Sequence, residues 1–145
     1  MLFDRTAGPA IAVAVTFVWL GMVLAISFVE APLKFLAPNV TLPIGLGIGR
    51  LVFRALNTVE VGFALVLLAI VATGTTPARS AVAFSVAVAA LAVQLIAVRP
   101  RLTRRSEQVL AGLDGPRSRG HYAYVGLEVV KVAALVVTGT LLLAA

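Results

Sequence analysis

His121, Tyr124, Glu128 and Lys131 recur at helical spacing inside an otherwise apolar run. At roughly 100° per residue they fall on one stripe, which Leu135 and Thr138 continue. The rest of that circumference is Val, Leu, Ala and Gly. A helix that is apolar on most sides and charged along one line cannot turn the line toward lipid, so the stripe must meet protein or water. The segment therefore requires a bundle, and the rest of the chain is read around it.

Composition says what surrounds the bundle. Of 145 residues, 61% are hydrophobic and only 12% charged, against about a quarter charged in soluble domains. With a mean hydropathy of +1.06, the chain reads as an integral membrane protein. Lys and Arg number 12 against 6 Asp and Glu. In a membrane protein such an excess marks topology and lipid headgroup contacts, so no nucleic-acid partner is expected. The absence of cysteine excludes an intrachain disulfide, a thiolate metal site and a thiol relay. At the N-terminus Asp4 offsets Arg5, and no A-x-A pattern closes the first apolar run; that run is expected to be a retained span and not a cleaved signal.

Four apolar segments, at about 9–30, 45–73, 79–98 and 121–143, are each long enough to cross a bilayer. The expected fold is all-α, one membrane domain over residues 1–145 built as a four-transmembrane-helix bundle. Thr16, Trp19, Val23, Ser27 and Glu30 lie close to one face of the first segment. Pro32, Pro38 and Pro43 make residues 31–46 read as a loop or a short re-entrant turn, because the residue before a proline is pushed out of the helical region. Asn39-Val40-Thr41 matches the N-glycosylation pattern, but the topology derived below places this loop in the cytoplasm. Gly45, Gly47 and Gly49 lack the preceding strand and spacing of a dinucleotide fingerprint, so close helix contact is their expected use. In the third segment Ala83, Ala87, Ala90, Gln94 and Ala97 form a small-residue packing face, with Gln94 bonding between helices. Residues 99–120 read as an arginine-rich aqueous loop, with a short surface helix near 106–113. No internal repeat stands out. Lys34, Arg50, Arg54 and the six arginines of the long loop outweigh Arg5 and Arg79, so both termini are expected on the non-cytoplasmic side.

Glu30, Glu60 and Glu128 come from three different segments, with Lys34, Arg50, Arg54 and Lys131 to pair them. Each charge at mid-bilayer costs about 2.5–3.5 kcal/mol on insertion scales, so pairing is close to obligatory. The expected pairs are Glu128 with Lys131, Glu30 with Lys34 if the helix survives Pro32, and Glu60 with an arginine of a neighbouring helix. Asn57, Gln94, His121 and Tyr124 complete the intramembrane network. Arg99, Arg101, Arg104, Arg105, Arg117 and Arg119 are expected to contact headgroups or a partner. A single histidine excludes a bis-His haem within the chain and makes a poor zinc set. No nucleophile elbow, phosphate loop or His-Glu-x-x-His occurs. No metal, cofactor or catalytic residue is therefore expected.

Two stretches carry a resemblance: Glu30-Ala31-Pro32-Leu33-Lys34-Phe35 followed by Gly47-Ile48-Gly49-Arg50-Leu51-Val52-Phe53 and Asn57 to Glu60, and then His121 to Lys131. On these, about a third of its length, the chain resembles a poorly characterised family of small bacterial inner-membrane proteins with four spans. The resemblance implies a bacterial cytoplasmic membrane location and a four-helix membrane fold, and it brings no activity with it. The sequence favours a non-enzymatic accessory or scaffolding component of a homo-oligomer or a larger inner-membrane assembly, with the charged network fixing helix register. Two alternatives stay open: a small proton- or ion-coupled transporter using Glu128 or Glu60, and a module that binds lipid or quinone headgroups.

Overall fold

The structure, a computed structural model, describes residues 6–111 and 119–145, without the side chains of residues 109, 110 and 119–121. Four helices, α1 (Ala7–Leu36), α2 (Leu42–Ala72), α3 (Ala78–Gln108, with helical backbone to Leu110) and α4 (Arg119–Ala144), run up and down in sequence. All four are long and apolar enough to span a membrane, and no strand occurs among the described residues. At 1.5 Å per residue the helices of about 30 residues measure roughly 45 Å, so they project beyond a hydrocarbon core of about 30 Å. Lys34, Arg50 and Arg99 mark one end of the bundle. Ala12, Ile70, Ala78 and Leu142 mark the other.

The apolar core fills the half away from the arginines. Trp19 sets its ring against Phe63 and edge-on to Phe84, at centroid distances of 6.4 and 6.5 Å. Around them pack Val23, Leu67, Ala87, Leu91, Ala134 and Leu135. α4 lies most extensively against α3, then against α1. The alanines of α3 permit this: Ala87 and Ala90 are buried, whereas Ala97 at the end of the expected stripe faces outward.

Two segments expected to be irregular are helical. α1 continues through Pro32 to Leu36, and α3 continues through Pro100 into the arginine-rich stretch. A proline within a helix removes one hydrogen bond, and its ring opposes the carbonyl four residues back. In both helices a wider, π-helical turn comes first, Leu24–Glu30 in α1 and Gln94–Val98 in α3. The Ala31 N–H then bonds to Ile26 O and the Arg99 N–H to Gln94 O, each five residues back, which lets the chain pass the proline without ending the helix. Beyond Pro100, Arg, Leu, Glu and Gln are good helix formers, and the helix runs out of the apolar zone on propensity. The loop is thus short. Asn39 takes a left-handed φ of 66°, and Thr41 caps α2 by accepting the Ile44 N–H at 3.4 Å. With Pro43 in the first turn, the second helix starts at Leu42, ahead of the expected 45.

The structure also exposes a repeat that residue identity conceals. The interval from Pro32 to Pro100 is the interval from Glu60 to Glu128, and both π-helical turns end at matching positions, Glu30 and Val98. At that same spacing Ala12 and Ser80, Thr16 and Phe84, Trp19 and Ala87, Val23 and Leu91, Leu56 and Tyr124, and Leu67 and Leu135 are all buried. The hairpin α1–α2 and the hairpin α3–α4 follow one plan. A parallel repeat of this kind places its shared site between the halves.

Candidate functional site

The shared site is an ion centre enclosed by all four helices. Lys131 on α4 is 0% exposed, as are Glu60 on α2 and Gln94 on α3. The Lys131 ammonium has three N–H donors, and each has an acceptor: Glu60 Oε2 at 2.6 Å, Glu128 Oε1 at 2.5 Å and Gln94 Oε1 at 2.8 Å. The amide of Gln94 points its nitrogen at Glu128 Oε1, 2.6 Å away. From α1, Ser27 donates to Glu128 Oε2 at 2.5 Å and the Trp19 indole N–H donates to Glu60 Oε2 at 2.8 Å. Charge-assisted bonds of this length are the strong class. They answer the insertion cost with short bonds between charged groups.

Local structure explains who reaches the centre. Glu128 and Lys131 are one turn apart on α4, and Glu60 follows Asn57 by one turn on α2. Ser27 and Gln94 both lie in π-helical turns, and both reach Glu128. A π-helical turn advances the register of the residues it contains, a common way for a helix to present a functional side chain. The two prolines therefore bear on the centre through the turns that precede them.

A second, looser polar layer lies toward the arginine-rich end. The Tyr124 ring stands edge-on to Phe53, with centroids 5.6 Å apart at 89°. Its hydroxyl lies beside the buried Asn57 amide, with the Arg99 guanidinium within electrostatic reach. The hydroxyl and the Asn57 side chain face each other, but no polar atom of either meets a partner at full hydrogen-bond geometry, and Glu60 Oε1 likewise meets no donor. Leaving such groups unsatisfied costs about 1–3 kcal/mol each, a state that the buried Thr16 and Ser80 hydroxyls share in the other half of the bundle.

The remaining expected residues sit apart. Glu30 and Lys34 form an ion pair at 3.7 Å, with the Lys34 ammonium also over the rings of Phe35 and Phe53. Lys34 and Phe35 account for two of the three glycines: a Cβ on Gly45 would overlap the Phe35 ring and one on Gly49 would stand 2.9 Å from Lys34 Nζ, whereas Gly47 faces open space. Arg50 meets Glu107 at 3.7 Å, and its carbonyl accepts from Arg99 at 3.4 Å. Arg54, Arg101 and Arg104 are exposed and Arg105 is half-buried. Arg117 lies outside the described residues. Arg119 and His121 fall in α4, with side chains outside the described set. The arginine expected to pair with Glu60 is replaced by Lys131, because the arginines of α2 sit about two turns nearer the helix end while α4 brings its lysine level with the carboxylate. Trp19 and Ser27 were legible only as members of one face of the first helix. No family model matches the chain, and comparison with curated proteins and with solved structures gave no match.

Proposed function

We propose that this is a non-enzymatic component of a bacterial inner-membrane assembly, made of copies of itself or of larger partners, whose ion centre fixes the register of its four helices. The observation that carries the reading is the complete use of the Lys131 donors on acceptors from α2, α3 and α4, with α1 joined through Trp19 and Ser27. Elsewhere the helices meet through Ala, Val and Leu surfaces that could slide past one another, and a buried polar set penalises every other register. A small gap between Ala12, Phe84 and Thr138 holds about 10 Å³, the lower limit for one water. Gly21, Gly62 and Gly126 face open space on the outside of the bundle, where small residues let another helix approach closely.

The test is the native mass of the mildly extracted protein with whatever travels with it. A stoichiometric partner or a defined homo-oligomer is expected, and a bare monomer in several mild detergents would sink the assembly reading. Replacing Glu128 with Gln should lower thermal stability by the few kcal/mol typical of a broken buried pair while leaving no change in ion flux. A pH-dependent flux defect in a normally assembled Glu128→Gln protein would move the function to a proton-coupled transporter.

A further inference from the structure

The ion centre is unbalanced. It holds two carboxylates and one ammonium, and the other side chains facing it are neutral: Trp19 and Ser27 from α1, Asn57 from α2, Gln94 from α3 and Tyr124 from α4. Arg99 is within reach of Tyr124 but makes its hydrogen bond to the Arg50 carbonyl. An uncompensated charge in so dry a place is costly, and the group concerned takes up a proton instead. The hydrogen bonds show where. Both Glu128 oxygens accept from donors, Oε1 from Lys131 and Gln94 and Oε2 from Ser27. On Glu60 only Oε2 does, while Oε1 is buried and meets no donor.

We propose that the centre is a proton-binding site, which holds one exchangeable proton on Glu60 Oε1 at neutral pH and loads it from the arginine-rich end. This goes beyond the register role, which needs the bonds but not the extra proton. A proton requires one free lone pair, whereas a metal cation requires several converging oxygens, and those of Glu128 and Gln94 are already engaged. The route is the line of unsatisfied groups: Asn57 lies one turn from Glu60, and Tyr124 one turn from Glu128, both toward the arginines and both buried without a partner at full hydrogen-bond geometry. In the opposite direction Trp19, Phe84 and Leu135 pack as an apolar layer next to the centre, and the buried hydroxyls of Thr16 and Ser80 lie farther toward the other end.

Infrared spectroscopy of the full chain in lipid vesicles tests the site. The expected spectrum at neutral pH contains the C=O stretch of a protonated carboxyl that shifts on transfer to D2O. Glu60→Asp should move that band, and Glu128→Asp should leave it in place. A wild-type spectrum without the band, a band that follows the Glu128→Asp change, or a band abolished by sodium at fixed pH would each overturn the proposal. Should Glu60→Asp fail to fold, Asn57→Leu tests the route: the band persists and its deuterium exchange slows, and an unchanged exchange rate would refute loading through Asn57.

Discussion

Truncating Lys131 and neutralising Glu60 are opposite experiments on the same centre. Lys131→Met leaves the buried Glu128 carboxylate with no counter-charge, a change in the class that costs about 3–5 kcal/mol. Glu60→Gln sets a neutral amide where the protonated, equally neutral acid stood, so it should cost far less. Reversible unfolding in mixed micelles gives both numbers. Equal losses would mean that Glu60 is fully ionised in the folded protein. At this scale the sequence disclosed a great deal, because a carboxylate or ammonium inside an apolar run announces itself. It could not disclose which cation Glu60 meets, since that depends on the level at which α4 stands against α2, a property of two distant segments that no local spacing records.

Single elements show where local rules mislead. Pro32 and Pro100 both read as helix ends, and both lie inside helices because a π-helical turn precedes them. Removing a proline from a helix interior ordinarily stabilises it, by up to about 3 kcal/mol on propensity alone. Pro100→Ala should do the reverse here: an α-helical register through Gln94–Val98 turns Gln94 away from Glu128 and Lys131. Thermal unfolding of Pro100→Ala should therefore show a lower midpoint than wild type, and a higher one would show that the turn does not depend on the proline. The propensity scale gives the sign for an isolated helix, whereas the centre's bonds give the sign for this one.

Across the whole molecule, four apolar segments made the bundle legible, but its duplication was hidden. Paired positions such as Thr16 and Phe84, or Trp19 and Ala87, share burial without sharing chemistry, because each half fills the space the other leaves. Pro32 and Pro100, Glu60 and Glu128, and Leu67 and Leu135 keep their identity. Arginine placement predicts an orientation with both termini on the non-cytoplasmic side, and a direct measurement checks it. The chain has no cysteine, so a single one introduced at exposed Arg101 or Thr75 reports its side without background. A membrane-impermeant maleimide added to intact cells should label Thr75→Cys and spare Arg101→Cys, and the reverse pattern would invert the topology.

The ammonium that pairs with Glu60 belongs to the last of the four helices, so neither hairpin is electrically complete by itself. Within the first hairpin Glu60 has the Trp19 N–H as a donor, and its cation, Lys131, comes from the second. A chain cut after the first hairpin would therefore carry an intramembrane acid without its counter-charge.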